Sequence, residues 1–223
     1  MTRTVVVLAR HGRTGWHSPN RYAGRSDIPL DPYGERQAEA LGRWAAGQGF
    51  TSLGCSSMAR ARATVAPTEA STGLTARVDA RLREVDFGIA EGRTLDDLRA
   101  EDPRLVERFV ADPVAHSFPG GEPPAAAVDR ALAALTDLVA ADPGGRLLVV
   151  AHNTLIRLVS CAVLGIPLSE YRRRLPAFDP AATVTLRFAD GADEPVALLA
   201  YNVPVPMEWQ HQPVTDADQP RTR

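Results

Sequence analysis

The sequence predicts an α/β fold, a three-layer α/β/α sandwich around a mostly parallel central sheet. Three observations predict it. Two continuous apolar runs, Thr4–Ala9 and Arg146–Ala151, have the length and β-branched content of strands buried on both faces. Segments of helical periodicity alternate with strand segments along the chain. The 223 residues, 44% of them hydrophobic, can bury one substantial core and suit one domain better than two.

The first run ends in a glycine-containing turn and is expected as a central strand. Asp31-Pro32 then supplies a helix cap and a proline at the first helical position, and Ala38, Leu41 and Ala45 recur at helical spacing until Gly47 and Gly49. Leu53–Ser56 reads as a short strand, followed by a helix from about Met58 to Ala70 that Pro67 interrupts or restarts. Thr94–Arg99 and Leu105–Val110 read as short helices and His116–Pro124 as a loop, so residues 93–124 are expected to form a lid insertion. Ala125–Ala141 is helical, and Asp142-Pro-Gly-Gly leads into the second apolar run. Asn153–Leu164 reads as helix, then Thr183–Phe188 and Val196–Tyr201 as two closing strands. A single domain over 1–212 and a flexible tail over 213–223 are expected.

With 25 Lys plus Arg against 27 Asp plus Glu, the net charge of −2 gives no bulk field for nucleic acid or an anionic membrane, and neither is expected as a partner. Cys55 and Cys161 lie in apolar surroundings without CxxC spacing, which indicates neither a disulfide framework nor a zinc site. The first apolar run begins too early for a signal peptide, and no stretch reaches membrane-spanning length, so a soluble cytoplasmic protein is expected.

Ligands of parallel sheets bind outside the carboxyl ends of the strands, where His11 and His152 both fall. Arg10 adjoins the first, and Arg60 and Arg62 follow a third short strand. These groups could converge on one oxyanion. Neutral imidazole is nucleophilic enough to take a phosphoryl group when cations stabilise the equatorial oxygens, and nearby arginines keep it unprotonated. The leaving oxygen needs a proton, which Glu84 or Asp86 in Leu82–Gly88 could supply.

Arg10-His11-Gly12-Arg13-Thr14, Arg60-Ala61-x-x-Thr64, Leu82-Arg83-Glu84-x-Asp86-Phe87-Gly88-x-x-Glu91-Gly92 and Ala151-His152 stand in an order that resembles the histidine phosphatase superfamily, in its phosphoglycerate-mutase-like branch. The likeness spans about residues 5–165, including Arg21-x-x-Gly24-x-x-Asp27-x-Pro29-Leu30. It implies that His11 is the nucleophile that becomes a phosphohistidine. Arg10, Arg60 and His152 would hold the phosphoryl group, with His17, Arg21, Gly24 and Asn153 on the phosphate or substrate side. Glu84 would be the acid and then the base, with no metal or cofactor. Asp86 is expected to order its loop and Arg62 to sit at a helix start.

The chain departs from the family pattern at His17, commonly asparagine, and at Asn153, commonly glycine. A titrating His17 is expected to let phosphate affinity fall as pH rises. Mutases of the superfamily carry further basic residues beyond the acid motif, whereas Arg93, Arg99, Arg104 and Arg108 here read as solvated. Hydrolysis of a small phosphate ester is therefore expected. A lid over Phe109–Pro124, with His116, Phe118 and Glu122, would set specificity for a sugar, nucleoside or phosphoglycerate derivative rather than a polyanion. The alternatives are a phosphoglycerate mutase and a non-catalytic phospholigand-binding module, which intact Arg10, His11, Arg60, Glu84 and His152 argue against. A dinucleotide site is rejected because His11–Gly15 lacks the third glycine and helix start of that fingerprint. Members of the family are often dimers, and the closing strands could supply a homodimer interface.

Overall fold

The computed structural model describes residues 3–189 and 196–207. The first apolar run forms β1 (Arg3–Arg10), and the chain returns as α1 (Pro32–Ala45), capped by Asp31, whose carboxylate accepts the Gly34 N–H at 2.7 Å. β2 (Ser52–Ser56), α2 (Ala59–Thr72) and β3 (Ala76–Asp79) follow. The insertion contributes α3 (Leu95–Glu101) and α4 (Pro103–Ala111). α5 (Pro124–Ala141), β4 (Arg146–Ala151), α6 (Asn153–Val163), a short α7 (Tyr171–Arg174), β5 (Thr183–Ala189) and β6 (Ala197–Val203) complete the described chain.

The strands form one sheet in the order β3-β2-β4-β1-β5-β6. β3, β2, β4 and β1 run parallel, whereas β5 and β6 close the edge antiparallel. The apolar runs are continuous because both faces are covered. Val6 and Leu8 of β1 and Leu147 and Val149 of β4 join the core under α5 and α6, while Val7, Ala9, Leu148 and Val150 join the core under α1 and α2. The expected three layers are present.

Three details differ from the sequence reading. Pro67 does not interrupt α2, which runs through it to Gly73, a left-handed residue at φ 73°. α2 instead packs Pro67 closely on α1: a Cβ on Gly42 would lie 2.7 Å from the Pro67 carbonyl oxygen. β3 was not expected, since Ala76-Arg-Val-Asp79 is short and mostly exposed and owes its form to pairing with β2. The turn that ends in α7 was also unforeseen. The tail expected over 213–223 lies outside the described residues. Among the described residues no helix is long and apolar enough to cross a membrane.

The expected lid is packed down. Phe109 and Phe118 stack with ring centroids 4.1 Å apart within the larger core, and the partly buried Tyr22 packs against them.

Candidate active site

The parallel strands end on one side of the sheet, and there β1 delivers Arg10 and His11 while β4 delivers His152. The His11 backbone N–H donates to the Ala151 carbonyl at 3.0 Å, tying the two strand ends together. The His11 and His152 ring centroids are 5.2 Å apart.

Tautomers follow from the partners. His11 Nδ1 lies 2.7 Å from the Gly12 carbonyl, which can only accept, so Nδ1 carries the proton and Nε2 the lone pair. His152 Nε2 lies 2.8 Å from Ser56 Oγ, which accepts the Met58 N–H at 3.3 Å; when the hydroxyl donates to Nε2, Nδ1 carries the imidazole proton. Burial, with the charges of Arg60 and Arg10 nearby, holds both imidazoles well below their ordinary pKa.

The arginines are fixed by carbonyls. Arg60, fully buried on α2, donates Nη1 to Ser26 and Nη2 to Ala23 and Gly24, at 2.8, 2.9 and 3.1 Å. Arg10 donates Nη1 to the Phe178 carbonyl and Nη2 to His17 Nε2 at 2.7 Å. Burial lowers Arg10 to about 10, which leaves it cationic at neutral pH. In each guanidinium Nε is buried without a hydrogen-bond partner, as are His152 Nδ1 and Asn153 Oδ1. Buried polar atoms are rarely left unpaired, so their clustering around His11 marks a place built for a polar ligand.

A cavity of about 320 Å³ opens from His11. Of the two carboxylates that residue chemistry left open, Glu84 lines it and Asp86 does not; Asp86 Oδ1 instead accepts the Gly88 N–H at 2.8 Å and orders the turn. Glu84 is buried, and its oxygens accept the N–H groups of Val85, Thr154 and Leu155, each at 2.9 Å. Burial pushes its pKa up, against the pull of those donors and of Arg60.

Asn153 opens α6 and lines the cavity, while Glu84 serves the helix end, so the asparagine is free to face a ligand. Arg21 also lines it, with Nη1 on the Gly92 carbonyl at 2.7 Å. Gly24 does not. Its N–H binds Glu91 at 2.8 Å, its carbonyl binds Arg60, and a Cβ there would lie 2.2 Å from the Val85 carbonyl oxygen. His17 stands at the cavity with its pKa lowered by burial and Arg10 to about 4, so in the free protein it is neutral at pH 7 and brings no titrating charge there.

The lid residues are placed otherwise than expected. Phe118 is in the core, and Glu122 is bound to Arg83 and Arg130, so neither lines the cavity, nor does His116; Leu95 of α3 does. Sequence reasoning missed Arg157, Tyr171, Arg172 and Pro176, which line the opposite wall. Arg157 stands one helical turn after Asn153, and that spacing was a signal that could have found it.

Residues 6–200 match the model of the histidine phosphatase superfamily, branch 1. Over 168 residues the chain is 35% identical to a probable phosphoglycerate mutase GpmB of Citrobacter koseri, covering 75% of this chain and 78% of the relative. Among solved structures, a mycobacterial glucosyl-3-phosphoglycerate phosphatase superposes with a TM-score of 0.82 at 27% identity, covering 90% of this chain and 99% of the other. Bacillus stearothermophilus YhfR gives a TM-score of 0.82 at 26% identity, covering 90% and 97%. A strand-end histidine pair flanked by buried arginines, on a chain matched to the family over most of its length, places this protein in the histidine phosphatase superfamily, among its phosphatases and mutases.

Proposed function

We propose that the protein is a phosphomonoesterase that hydrolyses a small phosphorylated metabolite through a phosphohistidine on His11. One observation carries this reading: His11 keeps the Nε2 lone pair free while buried, unpartnered side-chain nitrogens of Arg10, Arg60 and His152 lie around it. Nε2 attacks phosphorus and the P–O ester bond breaks. The leaving oxygen takes its proton from Glu84, whose raised pKa favours the acid form. Arg10, Arg60 and His152 Nδ1 stabilise the equatorial oxygens in flight. Water then attacks phosphorus, the P–Nε2 bond breaks and returns its electron pair to His11, and the Glu84 carboxylate takes the water's proton, restoring the acid. The two guanidinium charges, with the neutral His152 as a hydrogen-bond donor, supply the stabilisation, so the scheme runs without a metal ion.

The test is phosphate release from an aryl phosphate. Activity that persists in chelator, disappears in His11→Ala and accompanies an acid-labile phosphoryl group on His11 supports the reading. Full activity in His11→Ala overturns it. The likeness to a probable phosphoglycerate mutase supports a second reading, return of the phosphoryl group to another hydroxyl. Isomer exchange faster than phosphate release would establish that one instead.

A further inference from the structure

Glu91 and Gly92 close the motif that carries the expected acid, and neither lines the cavity. The Glu91 carboxylate is wrapped instead by residues 24–26. Its Oε1 accepts the N–H groups of Gly24 and Arg25 at 2.8 and 3.1 Å, and that of Phe87 at 3.3 Å. Its Oε2 accepts the Ser26 hydroxyl at 2.8 Å and the Ser26 N–H at 3.3 Å. These donors fill the lone-pair sites of a carboxylate, about four in number.

The same stretch holds Arg60 from its other side. The Ala23–Gly24 peptide gives its carbonyl to Arg60 Nη2 at 2.9 Å and its N–H to Glu91. The Gly24–Arg25 peptide repeats this, with 3.1 Å at each end, and the Ser26 carbonyl takes Nη1 at 2.8 Å. A trans peptide points C=O and N–H in opposite directions. Two successive units thus lie with the negative end on the guanidinium and the positive end on the carboxylate. Hydrogen bonds in such a chain strengthen one another where water is excluded, and turning either unit would break a bond at both ends. Gly24 fits because a Cβ there would lie 2.3 Å from Glu91 Oε1.

Arg60 needs such a hold. Burial lowers its pKa, and Glu84, Asp27 and Glu91 oppose that loss of charge. Its Nε is buried without a hydrogen-bond partner, so the set of the guanidinium plane decides where that donor points.

We propose that Glu91 is a positioning residue for the reaction: through the two peptide units between Ala23 and Arg25 it fixes the Arg60 guanidinium in the orientation that meets the phosphoryl group. This rests on the phosphatase reading for the role of Arg60.

The test compares wild type, Glu91→Gln, Glu91→Asp, Arg60→Gln and the double variant Glu91→Gln with Arg60→Gln in hydrolysis of an aryl phosphate. Glutamine puts an amide N–H where an acceptor is needed and turns away one set of donors. In Glu91→Gln kcat/KM should fall roughly ten- to hundredfold, the scale of a catalytic group displaced by about 1 Å, and Glu91→Asp, which keeps the charge, should recover part of it. Once Arg60 is replaced, Glu91→Gln should cost less than about threefold more, because residues that act as a unit do not add. A strut for the loop would lower the melting temperature and leave kcat/KM unchanged, or would cost as much without Arg60 as with it. Either result overturns the proposal. Ser26→Ala, which removes one bond to Glu91 and keeps every carbonyl, and Arg60→Lys run the same cycle should the first pair not fold. Calorimetric binding of inorganic phosphate to the same proteins runs it without turnover. Losses of phosphate affinity that fail to add, in a protein that hydrolyses no ester, sink the phosphatase and leave the hold on Arg60; hydrolysis by wild type with additive losses does the reverse.

Discussion

Glu84 Oε1 accepts the Leu155 N–H at 2.9 Å, so the expected proton donor is also the cap of the helix that follows His152. Its other oxygen takes the Thr154 N–H at the same distance. Chemistry and stability therefore meet in one side chain and can be separated. Glu84→Gln keeps one acceptor oxygen and has no acidic proton. On an alkyl phosphate kcat should fall about 10²- to 10³-fold. On an aryl phosphate, whose leaving group needs no proton, the loss should be much smaller. The cap costs about 1 kcal/mol, roughly 2–4 °C in Tm for a chain of this size. Equal losses on both esters would leave Glu84 a purely structural residue.

The pH profile follows from two opposite shifts. His11 must be neutral to attack, and burial holds its pKa well below 6.5; Glu84 must be protonated to donate, and burial raises it above 4.5. With an alkyl ester, kcat/KM should rise as pH climbs through the lowered His11 value and fall as it passes the raised Glu84 value, giving an optimum between the two. Glu84→Gln should remove the falling limb. If that limb persists unchanged in the variant, another group produces it.

Much of this site could be read from sequence because its parts sit where strand patterns end. His11 and His152 follow the two most apolar runs, and such runs form only where both sheet faces are covered. Glu84 was one of two carboxylates that residues alone allowed, and its choice over Asp86 depends on α6 being close enough to bond it, a relation between residues 70 and 71 positions apart. Pro67 misled because a local steric rule was outweighed by the packing of α2 on Gly42. Arg157 lay hidden in a helix whose Leu155, Leu158 and Val159 are core, so its own face went unread. The insertion looked like a lid because breakers cluster in it, but nothing local shows that Phe109 and Phe118 turn inward.

Protein stability should fall on acidification. In an unfolded chain histidines titrate near 6.5. His11, His17 and His152 are all depressed in the fold, His17 to about 4, so below 6.5 the unfolded chain binds more protons. Their contribution is full above 6.5 and is lost as pH falls from there through the folded values. Glu84 acts in the opposite sense, its share being present below 4.5 and lost as pH rises through its raised value. Three groups outweigh one between these limits. Tm should therefore be lower at pH 5 than at pH 7, and His17→Asn should make the slope shallower. An unaltered slope in that variant would exclude His17 as a contributor.

Gly34 tests how the first turn of α1 positions His11. A Cβ there would lie 2.0 Å from the Arg13 carbonyl oxygen, and one on Gly12 would lie 2.6 Å from the Gly34 carbonyl oxygen. Both obstacles are backbone, so they cannot swing aside. Gly34→Ala should cost about 1–3 kcal/mol by overpacking. It should also lower kcat, because the displaced segment includes the Gly12 carbonyl that orients the His11 ring. Gly15, with nothing within 4 Å of its Cβ position, is the control: Gly15→Ala should change neither quantity.

Arg130 of α5 and Glu122 form a pair whose members should not be equivalent. Each side chain is 12% exposed, and Arg130 Nε and Nη2 meet the two Glu122 oxygens at 2.7 and 2.8 Å. Arg130 also donates to the carbonyls of Arg81, Arg83 and Glu84, so it holds the segment that carries the expected acid. Removing it leaves a largely buried carboxylate with Arg83 alone, and three carbonyl acceptors without this donor. Arg130→Met should cost about 3–5 kcal/mol and lower kcat on alkyl esters as Glu84 shifts. Glu122→Gln keeps an acceptor for the guanidinium and leaves the carbonyl bonds in place, so its cost should be much smaller. In the double variant the carboxylate that had lost its closer cation is gone while the three carbonyls remain unanswered. Its stability should therefore lie above that of Arg130→Met and below that of Glu122→Gln. Thermal melts of all three decide this; equal losses in the two single variants would mean that the ion pair alone, and not the hold on the acid segment, is what Arg130 provides.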